Sequence, residues 1–368
     1  MTPLLQQLPI SGVRVLDLTR VLAGPLATMT LGDLGADVIK VERPRTGDET
    51  RSWGPPFDAR GESAYYLSVN RNKKSLAADL TRAADRELVL ALIDDADVVM
   101  DNFLPRVLEQ LGLHPDEILA RKPALVWCTI TGFGPGSDRP GYDYVMQAER
   151  GWMAITGPAD GAPTKVGVAL ADVIAGKDAA IAVLAALAGR ARTGKGGRLF
   201  VSLAHSASAA LVNVAQNALV SGKESLRWGN AHPNLVPYEL FEAQDRAIVI
   251  AVGSDVQWNA CVRALGLHEL LADASLSENA GRLAARSRVV EVIGRRVRER
   301  PAAEWLRALD AAGVPCGLVK GVLESLADLS TSPLTGVAPE APGTVRFPPP
   351  RLDEHGAAIR AKGWGAFA

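Results

Sequence analysis

Short apolar runs recur along the first two hundred residues, separated by stretches in which apolar positions return every three or four residues. Residues 13–18 (VRVLDL), 36–41 (ADVIKV), 96–100 (ADVVM), 125–130 (LVWCTI) and 198–203 (RLFVSL) have the length and character of buried strands. Between the first two, Gly24-Pro25 opens a helical stretch that continues through LATMTLGDLG. Proline falls there at the first helical position, where a missing N–H costs nothing. Strand, helix and strand in that order predict a βαβ unit with parallel strands. Helical patterns separate the later strands too, which makes the fold class α/β, with a doubly wound, Rossmann-like large domain.

A long helix is expected from Asp172 through VIAGKDAAIAVLAALAGRART, stopped by TGKGG at 193–197, and a second follows in SASAALVNVAQNALVSGK. Residues 228–238 (WGNAHPNLVPY) have the prolines, asparagines and glycine of an irregular connection. Beyond it, YELFEAQDRAIVIAVG reads as a strand pair turning at Gln244-Asp245, followed by helices to about Ala312. The expected organisation is a large domain over 1–197 completed by a tail from about 330 to 368. Helices over 198–227 then form a linker, and a smaller α+β domain spans 228–329. The proline-rich stretch 333–350 is expected to lie extended over a surface.

At 368 residues the chain exceeds one ordinary core, which supports two domains. Forty basic side chains against forty-one acidic ones leave a net charge of −1. Such a chain has no overall attraction for a polyanion, so nucleic acid is not expected as a partner and any anionic ligand must be met by local groups. Cys128, Cys261 and Cys316 are odd in number and far apart, without metal-ligand or disulfide spacing. They read as small buried hydrophobes in a reducing compartment. The segment MTPLLQQLPISG lacks the charged and apolar regions of a signal peptide, and charges interrupt every apolar run. A cytoplasmic protein with no membrane partner is expected.

The first strand-to-helix turn, TRVLAGPLA, has one glycine and lacks the G-x-G-x-x-G of dinucleotide-binding folds. Glu42 and Arg43 end the second strand; taken alone they read as solvated surface charge, with Arg43 suited to a phosphate. The five histidines are scattered, pair at no metal-ligand spacing and sit in no nucleophile motif. No metal site is expected. Asp172 stands where a loop (TKVGVALA) enters a helix and reads first as an N-cap. Ala175 and Gly176, three and four residues on, share its helix face and leave it bare of side chains. A bulky thioester could approach a carboxylate so placed, and free N–H groups at a helix start could steady an oxyanion.

Taken together, VRVLDLTRVLAGPLATMTLGDLGADVIKVERP, NRNKKSLAADL, DNFLPRVLEQLGL, TGFGPGSDRPGYDY, VGVALADVIAGKDAAIAVLAAL, TGKGG, GNAHPNLVPYELF and GVPCGLV resemble the family III CoA-transferases. This CaiB/BaiF-type group contains formyl-CoA and carnitine CoA-transferases and α-methylacyl-CoA racemase. The resemblance implies a large lobe built from both chain ends, a small lobe reached through long linkers, and two subunits interlocked as a homodimer. It implies no tightly bound cofactor, with coenzyme A and acyl-CoA as substrates. The family's catalytic aspartate falls on Asp172, which would carry CoA from an acyl-CoA donor to a carboxylic acid acceptor through an anhydride and an aspartyl-CoA thioester.

The positions that contact CoA in the family fall on Leu22, Ala23, Arg43, Ala78, Asp79, Leu80, Thr81, Asn102, Phe103, Leu104, Pro140, Gly141, Tyr142 and Asp143. Trp53 and Tyr65 match aromatics near the acyl pocket of formyl-CoA transferases, with a core or lining role as the equal alternative. Three differences stand out. Gln110 replaces an arginine that binds CoA, which leaves either takeover by the nearby Arg106 or a lower affinity. Leu22 replaces a glutamine, and WGNAHPNLVPY replaces a glycine-rich loop. These argue against formate and oxalate. The racemase alternative needs a histidine in G-H-D, where this chain has Gly141-Tyr142-Asp143, and tyrosine is a poor base near neutral pH. A CoA-binding protein without catalysis is the remaining alternative.

Overall fold

Six strands lie side by side, all parallel, in a computed structural model that describes residues 7–368; the reading of residues 1–6 falls outside the described residues. The strands are β1 (Arg14–Asp17), β2 (Asp37–Glu42), β3 (Lys73–Ala77), β4 (Val98–Asp101), β5 (Val126–Thr131) and β6 (Gly197–Ser202), in the order β3-β2-β1-β4-β5-β6. Five strands match the apolar runs. β3 does not, because two of its five residues, Lys73 and Lys74, mask the pattern. Parallel pairing needs crossovers, and these are α1 (Ala23–Asp33), α2 (Ala64–Leu67), α3 (Ala83–Asp94), α4 (Pro105–Gln110), α5 (Pro115–Arg121), α6 (Asp143–Glu149), α7 (Trp152–Ile155) and α8 (Leu170–Thr193). After β6 come α9 (Leu203–Ala209) and α10 (Val212–Ser221).

Successive strand residues face opposite sides, and both sides are covered. Val15, Val38, Val98 and Val126 pack with Ala27 and Leu31 of α1 and Ala175, Ala179 and Val183 of α8. Leu16, Ile39, Val99 and Trp127 pack with Val89 and Ile93 of α3, Ile118 of α5, and Ile359 and Trp364 near the C-terminus. Full burial of both faces explains why the strands read as continuous apolar runs. The 333–350 stretch lies over this same unit: Arg71 donates to Thr335 O and Val337 O at 2.8 Å each, and Asn72 Oδ1 accepts Arg346 N–H at 2.6 Å.

Several expectations need correction. α1 begins at Ala23, so Pro25 is its third residue. α8 begins at Leu170 behind Ala169, which makes Asp172 a first-turn residue and not the N-cap. The bare face at Ala175 and Gly176 is not open: a Cβ on Gly176 would lie 2.6 Å from Ala23 O, so the small residues let α8 pack closely on α1. Residues 198–223, read as part of a linker, belong to the first unit, because β6 closes the sheet.

Among the described residues the first unit comprises 7–152, 165–223 and 329–368; the second comprises 153–164 and 224–328. The second holds a three-stranded antiparallel sheet of β7 (Tyr238–Glu242), β8 (Ala247–Ala251) and β9 (Cys316–Leu318), in that order. Its core joins Phe241, Ile248 and Ile250 to Trp258, Ile293 and Trp305 from its helices. β9 was not anticipated, being three residues long.

Among β1, β2, the start of β3 and the loop after β2 lies a fully buried group of charges. Lys73 Nζ is 3.0 Å from Asp17 Oδ2, and Lys40 Nζ is 3.0 Å from Asp48 Oδ2, with all four side chains inaccessible. Burial alone would raise the Asp17 carboxyl, but the ammonium groups of Lys73 and Lys40 outweigh it and hold Asp17 below the usual carboxylate range. Beside this group, Glu42 takes both Arg51 Nε and Nη2 at 2.8 Å and also accepts from Ser75. Glu42 is therefore a buried partner of Arg51, not solvated surface charge. Removing one member of a buried pair strands the other. Lys73→Met is expected to lower the stability of the first unit by about 3–5 kcal/mol, read from its denaturant midpoint by circular dichroism; an unchanged midpoint would contradict the role given to the pair.

Candidate active site

In an open parallel sheet the loops after neighbouring strands diverge where the strand order reverses, leaving a crevice at their carboxyl ends. Here that point lies between β1 and β4. The loop after β1 is fixed from three sides: Lys40 Nζ donates to Thr19 O at 2.9 Å, Asp48 accepts Val21 N–H at 3.3 Å, and Asn102 exchanges hydrogen bonds with the Arg20 backbone at 3.1 and 2.8 Å. Val21 is held at φ 72°, a left-handed conformation that a branched residue adopts only under such constraint.

Two cavities open at this crevice. The first, about 240 Å³, is bounded by Arg20 to Ala23 after β1, Asn102 to Pro105 after β4, the end of β5, Arg139 to Tyr142, and Asp172. The second, about 390 Å³, lies over Arg43 after β2, Ala78 to Thr81 after β3, and again Arg20 and Phe103. Arg20, Phe103 and Val107 line both, with the Arg20 guanidinium 5.4 Å from the Phe103 ring centre. Glu49 accepts from Arg20 at 2.9 Å and from Arg43 at 3.3 Å, tying the two cavities' cations to one carboxylate.

Asp172 projects from the first turn of α8. Among the described residues none hydrogen-bonds to its carboxylate. Burial, reinforced by the negative charge of Asp143, pushes its carboxyl up from the ordinary 3.8 to about 7. Tyr65 stands in the same electrostatic environment: burial, and then the Asp172 charge, push its phenol up to about 12. Trp53 packs edge-on against the Tyr65 ring with centroids 5.1 Å apart. An unpartnered carboxylate that must shed its proton near neutrality is a more basic, less solvated nucleophile than an ordinary aspartate.

The residues singled out from sequence divide accordingly. Leu22, Ala23, Asn102, Phe103, Leu104, Pro140, Gly141, Tyr142 and Asp172 line the first cavity. Arg43, Ala78, Asp79, Leu80, Thr81 and Phe103 line the second. Arg106 and Gln110 are exposed on α4 and line neither. Asp143 also lines neither; its carboxylate accepts Ala171 N–H and Gln147 Nε2–H inside the protein. Sequence reading passed over Arg20, Glu49 and Arg139, which line the first cavity. It also passed over the buried Lys40 and Asp17, whose signal was a charge inside each of the runs ADVIKV and VRVLDL. Cys128 and Cys261 are buried, with thiols pushed up to about 12, and take no part. Among the described residues no group of three or more His, Cys, Asp or Glu could hold a metal ion, and no helix is long and apolar enough to cross a membrane.

Known proteins resemble this chain over most of its length. A succinyl-CoA:glutarate CoA-transferase of Mus musculus is 44% identical over 317 residues, covering 85% of this chain and 72% of that one. A succinate–glutarate CoA-transferase of Agrobacterium fabrum is 42% identical over 328 residues, 87% of this chain and 82% of that one. The crystal structure of a CaiB/BaiF family protein from Brucella suis superposes with a TM-score of 0.87 at 40% identity, covering 97% of this chain and all of that one. With CoA-transferase family III matched across residues 10–340 as well, the chain belongs to that family and is a CoA-transferase enzyme.

Proposed function

We propose that the protein moves CoA from succinyl-CoA to a dicarboxylic acid such as glutarate, with Asp172 as the covalent nucleophile. The carboxylate of Asp172, unpartnered in a cavity and held to about 7, is the observation that carries this reading. Its oxygen attacks the thioester carbonyl of the donor, and the CoA thiolate leaves, giving a mixed anhydride. The thiolate then attacks the aspartyl carbonyl and expels the donor acid, leaving an aspartyl-CoA thioester. The acceptor carboxylate attacks that thioester and expels the thiolate, giving a second anhydride; the thiolate then attacks the acceptor's acyl carbon and frees the Asp172 carboxylate. Each step exchanges one activated acyl bond for another, so no ATP is consumed. The second cavity would take the nucleotide end of CoA, with Arg43 toward a phosphate. Arg20 and Arg139 offer positive charge to a dicarboxylate along the first. The relatives' names supply the choice of succinate and glutarate.

A homodimer is part of the same proposal. No side chain of α10 is buried, although Val212, Leu219 and Val220 are 70–78% exposed. An apolar helix face left open in one chain suits a second copy of that chain. Sedimentation of the wild type is expected to give a dimer, and Leu219→Asp with Val220→Asp to weaken it; a wild-type monomer would contradict this part.

Asp172→Ala is expected to lose transfer from succinyl-CoA to glutarate by about 10³-fold or more while remaining folded, followed as glutaryl-CoA by mass spectrometry. Near wild-type turnover in the folded variant would remove the mechanism. In the wild type, kcat/KM should fall about tenfold per pH unit below the free-enzyme ionisation near 7, because only the carboxylate attacks.

Linkage gives a separate test on stability. The folded carboxyl binds its proton more tightly than the unfolded one, so its contribution is most favourable below about 4 and is lost as pH rises toward 7. Asp172→Asn is therefore expected to melt higher than wild type at pH 8, with the gap closing toward pH 4; a constant gap would mean that the carboxyl is not so held.

A further inference from the structure

The stretch 166–171 that delivers Asp172 to the cavity is fastened by two side chains of α6. Asp143 Oδ1 accepts Ala171 N–H at 2.8 Å, one residue before the nucleophile, and supplies the cap that Ala169 lacks. Asp143 Oδ2 accepts Gln147 Nε2–H at 2.7 Å. Gln147, fully buried, takes Val166 N–H on its Oε1 at 2.7 Å and reaches Val168 O at 3.3 Å. Residues 140–142, immediately before Asp143, are cavity wall. That wall is itself pinned: Gly141 and Gly132 meet backbone to backbone, so closely that a Cβ on Gly132 would lie 2.7 Å from Gly141 Cα.

We propose that Asp143 is a positioning residue for the nucleophile. One of its oxygens caps the first turn of α8, the other braces the approach to that turn through Gln147, and its negative charge stands near the carboxylate it positions. This rests on Asp172 being the nucleophile and adds the residue that holds it. Among the described residues, the other charged or titratable groups lining the cavity are Arg20, Glu49, Arg139 and Tyr142, and Tyr65 of α2 feels the Asp172 charge; α1 and α9 contribute only Ala23 and Leu203 to the lining. After burial itself, the Asp143 charge pushes the Asp172 carboxyl upward, so Asp143 favours basicity as well as geometry.

Asp143→Asn separates the two effects from a general role in folding. The introduced amide oxygen still accepts Ala171 N–H, but its N–H₂ now faces the amide N–H₂ of Gln147. Adding Gln147→Glu restores that bond, because a carboxylate there accepts both from the introduced amide and from Val166 N–H, and it gives up only the long 3.3 Å bond to Val168 O. In Asp143→Asn the acidic limb of kcat/KM is expected to move about half a pH unit or more toward acid. Its kcat should fall about tenfold or more, with KM for succinyl-CoA within about twofold. The double variant should recover kcat to within about threefold of wild type. A folded Asp143→Asn with unchanged kcat and an unmoved limb overturns the proposal. So does a double variant that melts like wild type yet keeps the single variant's kcat. If Asp143→Asn does not fold, the double variant alone decides, since folded and active supports the clamp and folded and inactive refutes it. None of these outcomes touches the nucleophile itself, which stands or falls with Asp172→Ala.

Discussion

Two buried ion pairs, drawn from three neighbouring strands and the loop after the second, organise the first unit. Asp17 with Lys73, and Lys40 with Asp48, are inaccessible to solvent. Charges so placed contribute little net stability, since desolvation offsets their attraction, but they tolerate few alternative arrangements. Lys40 and Asp48 reach out of this group to the backbone of Thr19 and Val21. They thereby fix the turn that places Arg20, Leu22 and Ala23 on the cavity wall. The crevice of a parallel sheet exists for topological reasons; its shape here comes from these ions.

On that frame the basicity of Asp172 is set by a contest of magnitudes. A carboxylate in the first turn of a helix is favoured by the helix dipole, worth about 0.3–1 kcal/mol at accessible sites. Burial and the Asp143 charge act the other way. The rise from 3.8 to about 7 corresponds to about 4 kcal/mol in favour of the protonated form. Burial wins, partly because Asp143 already occupies the Ala171 N–H. The result is a carboxylate available near neutral pH that lacks the hydrogen bonds which would blunt it.

What the sequence made legible follows from which forces are local. VRVLDL and ADVIKV stand out because both faces of those strands are buried. KKSLA does not, because Lys73 is paired with an aspartate 56 residues away and no local pattern records that partner. Asp172 was recognisable at a helix start and by its family setting. Its true cap was not, because Asp143 lies 28 residues earlier than the Ala171 N–H it accepts. Gly176 carried the same ambiguity: a missing side chain marks either an open face or a close one, and only the position of Ala23 O tells which. Arg20 and Arg139 went unmarked for a like reason, as arginines whose surroundings are assembled by the fold.

The proposed covalent step on Asp172 can be tested directly. The enzyme is mixed with succinyl-CoA without acceptor, treated with hydroxylamine, digested and examined by peptide mass spectrometry. An aspartyl hydroxamate confined to the peptide bearing Asp172, and absent without succinyl-CoA, is the predicted result. Active enzyme that carries no hydroxamate, or carries it on another carboxylate, would contradict the assignment.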